Sequence, residues 1–265
     1  RSLTVDERKL YLKATKCMYD TPSKFKSRFP IARSRYDDFV ILHIDIASFG
    51  GHEDGDILAW HRYVLQQWED ALINECGWKG GIPYWNWFLD TPSQGGSFLK
   101  SPIFDPISGF GGNGKPDPDN ILQKLNGTGG GCIQDGIFKD VKLWIGPVGQ
   151  MIPNNPRCLT RNFLPWVVEQ HNATDTLRKA LKARDFREFM KWVQKDEAGG
   201  PHNHPEGPPA LNVIFDDLHG IGHYSINGEM GDPLGSMNEP LFWLHHGGID
   251  QFWSLWQDQD LTHRL

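Results

Sequence analysis

The chain has 265 residues, 23% of them charged, and a formal net charge of −6. No basic stripe marks it for nucleic acid, and no apolar run reaches bilayer-spanning length. Hydrophobic residues make up 38% and aromatics 12%, with eleven tryptophans, enough for a sizeable core, in one large domain or two small ones.

Thr4, with Glu7 answering three residues later, predicts a helix over 4–19, on which Leu3, Leu10, Tyr11 and Ala14 repeat helically. Tyr36–Ile46 reads as a second helix crowded with Phe39, Val40, Leu42, His43 and Ile46. Asp54-Gly-Asp56 breaks the chain, and Ile57–Cys76 reads as a long third helix. Residues 77–158 are rich in Gly, Pro, Asn and Asp, as in Gly111–Pro116 and Gly127–Gly131. Aromatics recur through them, so they are expected to be an ordered excursion rather than a linker, with Val141–Ile145 a candidate strand. Helical patterning returns over 160–197, and 199–209 is a Gly/Pro/His loop. Leu211–Ser225 and Glu239–Gln257 close the chain as two more helices. The expected class is mainly α with little β.

Cys17, Cys76, Cys132 and Cys158 form no Cys-x-x-Cys pair, against a zinc ribbon, and their even number suits two disulfides. Sequons at Asn126 and Asn172 agree with a secreted glycoprotein. The chain begins at Arg1 with no signal peptide, as a processed product would.

Eleven histidines are present, and their placement carries the chemistry. His43 lies on the second helix, His52 in the turn after it and His61 on the third. His219 and His223 are spaced i, i+4, which puts both rings on one helical face. His245 and His246 sit on the last helix. These helices are rich in tryptophan and leucine, so several rings must be buried, and a buried neutral imidazole needs partners for both nitrogens. Paired zinc or iron ions usually take carboxylates such as Glu-x-x-His, and no such motif occurs. An all-imidazole set suits copper, which tops the divalent affinity order. His171, His202, His204 and His263 read as solvent histidines, Asp216-Asp217 as a solvated face, and Trp253 and Trp256 as core.

These motifs resemble those of the type 3 copper polyphenol oxidases, the tyrosinase and catechol oxidase family, and more closely its short fungal members. The likeness runs through His52-Glu-Asp-Gly-Asp-Ile-Leu-Ala-Trp-His-Arg62, Leu218-His-Gly-Ile-Gly-His223 and Pro240-Leu-Phe-Trp-Leu-His-His-Gly-Gly-Ile-Asp-Gln-Phe-Trp-Ser-Leu-Trp256. Further echoes are Ser34–Phe39, Pro83–Trp87 and Asn155–Leu159. The resemblance covers essentially the whole chain and implies a single copper-binding domain over residues 1–265, a four-helix bundle around a dicopper centre with long disulfide-pinned loops. His43, His52 and His61 would bind one copper, and His219, His223 and His246 the other. His246 is chosen over His245 because the family ligand lies four residues before the aspartate, here Asp250. That aspartate would orient a ligand through a hydrogen bond or else cap local backbone, and His245 would support a ligand from behind or simply pack. Cys17–Cys76 and Cys132–Cys158 would be the disulfides. The implied reaction takes an o-diphenol to an o-quinone with O2 as co-substrate and water as its product, the metals doing the redox work.

Departures from the family pattern bear on substrate. Many fungal relatives carry a cysteine two residues before the second ligand, bonded to it; Gly50 stands here. Monophenol-hydroxylating members often carry Asn after the first histidine of the second motif; Gly220 stands here. Glu206 is a candidate to hold a water in its place, Tyr224 to line the mouth, and Met230, Leu234 and Met237 to gate the site or simply pack. Asn86 and Glu239 replace family aspartates, and Arg62 is expected in a structural ion pair. The expectation is therefore a catechol oxidase acting on small phenols, with no membrane or nucleic-acid partner and the oligomeric state open, monomer included. Tyrosinase, o-aminophenol oxidase and, from another class, a haemocyanin-like oxygen carrier are the rivals; such carriers need a covering domain that 265 residues do not accommodate. The chain stops soon after the last copper helix, so the family's C-terminal lid is expected to be missing, as in an active or clipped form.

Overall fold

The computed structural model describes residues 2–48, 55–169, 173–194 and 217–264. Helix α1 (Val5–Asp20) begins with the expected capping box: Thr4 Oγ1 accepts from Glu7 N, and the Glu7 carboxylate accepts from Thr4 N at 2.7 Å. Helix α2 (Arg35–Ser48) starts where Asp37 accepts from Arg33 N and Ser34 N while Ser34 Oγ accepts from Asp37 N. Helix α3 (Ile57–Cys76) keeps its predicted bounds and stops at Gly77, whose φ of 71° suits a residue without Cβ.

Helices α2 and α3 and the last helix share an aromatic core. Trp68 stacks on Trp243 at 4.0 Å, and Tyr36 and Phe39 meet both tryptophans edge-on. Such pairs contribute roughly 0.5–1.5 kcal/mol each beyond their buried area. A disulfide between Cys17 and Cys76 ties the end of α1 to the end of α3.

The excursion after α3 is ordered and mostly irregular, with several single 3-10 turns. Its two Gly-rich stretches, read as loop, pair with each other: β1 (Gly114–Pro116) lies antiparallel to β2 (Gly130–Ile133). Glycine permits the approach, since a Cβ on Gly114 would lie 2.1 Å from Gly131 O and 2.3 Å from Arg161 O. The candidate strand at Val141–Ile145 shortens to β3 (Lys142–Leu143), paired with β4 (Arg157–Cys158). The Cys132–Cys158 disulfide joins the two hairpins, so both implied disulfides are present. Behind them Arg161, fully buried, makes a bidentate pair with buried Glu239 and donates to the carbonyls of Phe110, Gly111 and Gly112.

The patterning over 160–197 resolves into α4 (Pro165–Glu169), α5 (Ala173–Leu181) and α6 (Phe186–Val193). Residues 160–164 are not helical, because their backbone bonds go sideways, Asn162 N to Ile226 O and Leu164 N to Ser225 O. Helix α7 (Leu218–Ile226) is shorter than expected; residues 211–216 lie outside the described residues. Asp217 is no solvated face: it is 6% exposed and caps α7, accepting from Gly220 N. Helix α8 (Leu241–Gln257) is the last. The chain is thus mainly helical, as expected, and among the described residues no helix is long and apolar enough to cross a membrane.

Candidate metal centre

Helices α2, α3, α7 and α8 each bring a histidine to one place. His43 is 1% exposed and donates from Nδ1 to Leu234 O at 2.8 Å. His61, 3% exposed, donates from Nδ1 to Ile57 O on its own helix at 2.7 Å. His223 donates from Nδ1 to Met230 O at 2.8 Å. A carbonyl only accepts, so each of these rings carries its proton on Nδ1 and keeps a lone pair on Nε2.

The rings converge. His223 Nε2 lies 3.0 Å from His219 Nε2 and 3.2 Å from His246 Nε2. The His61 ring stacks on His246 at 4.0 Å and lies 5.8 Å from His43, edge-on. Burial, then the neighbouring rings of His61, His219, His223 and His245, hold His246 well below the usual imidazole range. A cation placed between these nitrogens would be held by the buried, neutral rings around it. Nitrogens about 2.0–2.1 Å from a tetrahedral ion stand about 3.3 Å apart, close to the spacing here. Among the described residues the cluster able to hold a metal is His219, His223, His245 and His246, with no carboxylate or thiolate in it. An all-imidazole donor set fits copper.

The remaining expected residues divide. His52 and Glu206, with Gly50, His171, Asn172, His202 and His204, lie outside the described residues. Gly220 is buried beside His219 and presents no side chain, and Tyr224 is half-buried next to His223. Met237 is wholly buried, a packing residue. Asp250, expected to orient a ligand, instead accepts from Arg62 Nε at 2.5 Å. Arg62 also stacks 3.8 Å over Trp253 and donates to Ser254 and Gln257, so it pins α3 to α8. Asn126 is exposed, and His263 is exposed beside Asp260.

Sequence reasoning missed Phe242. Its fully buried ring lies 4.1 Å from His246, 5.2 Å from His43 and 5.9 Å from His61, an apolar post among the ligand rings. Its position four residues before His246 on α8 was the available signal. Also missed were the carbonyls of Ile57, Met230 and Leu234, which have no side-chain signature.

The family profile described as "Common central domain of tyrosinase" matches residues 33–259. Among curated proteins, the chain is 33% identical to Tyrosinase P of Aspergillus terreus, over 97% of this chain and 74% of that protein. It is 32% identical to the N-acetyl-6-hydroxytryptophan oxidase ivoB of Emericella nidulans, over 97% and 73%. Among solved structures, a mutant polyphenol oxidase from Thermothelomyces thermophila superposes with a TM-score of 0.79 at 32% identity, covering 98% of this chain and 69% of that one. With the converging imidazoles, these matches show that the chain belongs to the tyrosinase family of dicopper oxidoreductases.

Proposed function

We propose that the chain oxidises o-diphenols: two catechols and one O2 become two o-quinones and two waters. His43, His52 and His61 would hold one copper, and His219, His223 and His246 the other. Bound copper supplies the electron acceptor and the place where O2 reacts. The chain's own residues fix the imidazole tautomers through Leu234, Ile57 and Met230, and the buried Phe242 packs against the rings of His43, His61 and His246.

Gly220 carries the choice of substrate. Beside His219 it offers no side-chain acceptor for the proton of a monophenol, and its backbone N–H is already taken by Asp217. A catechol brings a second hydroxyl and needs no hydroxylation step. The second reading, monophenol hydroxylation, draws on the likeness to a protein named Tyrosinase P. The copper-loaded protein is to be assayed by O2 uptake on catechol, phenol and o-aminophenol side by side. Catechol is expected to turn over fastest; a higher rate on phenol, or on o-aminophenol, overturns the assignment. Two disulfides and the exposed Asn126 support passage through the secretory pathway.

A further inference from the structure

We infer that His245 is a positioning residue that locks helix α7 under its two ligand rings, and is not a fourth ligand. The inference rests on the reading that His219, His223 and His246 hold a metal. His245 is wholly buried, and its Nε2 lies 2.9 Å from the carbonyl oxygen of His219. A carbonyl only accepts, so the proton sits on Nε2. This tautomer is opposite to that of His43, His61 and His223. The one nitrogen able to donate is therefore engaged with the α7 backbone.

By distance His245 belongs to the same cluster, but its other nitrogen is crowded by the backbone of α7. The Cε1–Nδ1 edge of the ring lies against Gly222, where a Cβ would stand 2.1 Å from Cε1 and 2.2 Å from Nδ1. No side chain other than hydrogen fits there. Glycine inside a helix costs about 1 kcal/mol against alanine, and here it admits the imidazole. Nδ1 is buried without a hydrogen-bond partner among the described residues, so the ring keeps its position at a cost in polar satisfaction. The same ring lies nearly parallel to His219, 5.7 Å away at 16°, and edge-on to His223 at 4.8 Å. It touches both members of the i, i+4 pair and fixes the backbone of the first. Adjacent histidines on α8 thus take different work: His246 faces the metal, and His245 faces the helix that supplies the other two ligands.

The test is a long-range nitrogen–proton correlation spectrum of the protein labelled with nitrogen-15 histidine and loaded with diamagnetic Cu(I). His245 is expected to carry its proton on Nε2 with no metal-shifted nitrogen, while His223 carries its proton on Nδ1. A proton on Nδ1 of His245, or a metal-shifted nitrogen there, overturns the inference. Because the tautomer is read on the unaltered chain, the decision does not depend on any variant folding. As a second reading, Gly222→Ala and His245→Phe are each expected to weaken one of the two copper sites by about 10–100-fold and spare the other. His245→Gln, which keeps an N–H donor, should recover part of the loss. Parental affinity at both sites in His245→Phe contradicts the proposal. A parent chain that binds no copper at all defeats the ligand assignment instead.

Discussion

Helices α2, α3, α7 and α8 and the connection between α7 and α8 act on the same rings by different means. The helices carry the histidines on regular backbone, one turn above another. The connection, residues 227–239, holds only two 3-10 turns, yet its carbonyls at Met230 and Leu234 set the tautomers of His223 and His43. It is in turn held from outside: Glu229 N donates to Thr160 O, Asn238 Nδ2 to Ile145 O, Val148 N to Asp232, and Tyr19 OH to Asn238 O. Two of those four anchors, Ile145 and Val148, lie in the disulfide-pinned excursion. The ligand rings are thus supplied by helices, and their orientation by irregular chain that the excursion braces.

Substitutions on the two sides separate these contributions. On the helical side, His223→Ala removes a ligand ring and is expected to lower catechol turnover by more than about 100-fold, the upper end of what losing an outer hydrogen bond costs; O2 uptake checks it. On the bracing side, Glu239→Ala leaves the Arg161 guanidinium buried and unpaired by its carboxylate. A loss of about 3–5 kcal/mol is expected in denaturant unfolding. An effect under 1 kcal/mol would mean that the pair does not brace the connection.

Glu229 gives the connection a pH signature. Burial pushes its carboxyl up from 4.5 to about 7, against the opposing pull of Arg157 at 2.5 Å. Between about pH 4.5 and 7 the folded chain then holds a proton that the unfolded chain has released. Stability should fall as pH rises through that window, by on the order of 3 kcal/mol. Glu229→Gln should flatten this slope in thermal unfolding of the copper-free protein. The smallest effect is expected far from the site: Thr4→Ala removes the α1 cap and should cost about 1 kcal/mol with turnover unchanged.

The same contrast explains what the sequence discloses. Helices are legible because their period and caps are local: Thr4 with Glu7 placed α1 within a residue, and the apolar spacing placed α3 at its observed ends. The ligand histidines of α7 are legible for the same reason, as an i, i+4 pair. The short end of α7 was missed because Asp217 reads as surface charge when its capping bond to Gly220 is not seen. Arg161 and Glu239 meet across 78 residues of sequence, which no local pattern records. The pairing of two Gly-rich stretches into β1 and β2 was hidden because glycine marks both a loop and a close backbone approach. Met230 and Leu234 drew notice for their side chains and act through their carbonyls. Asp250 sat where the resemblance put it, but α8 turns it toward Arg62.

The account stands on imidazoles that hold two copper ions. Copper content per folded chain, measured by elemental analysis after reconstitution and removal of loosely bound metal, tests this most directly. Two ions per chain are expected in the parent, and one in His246→Ala. One or none in the parent, or two in the variant, contradicts it.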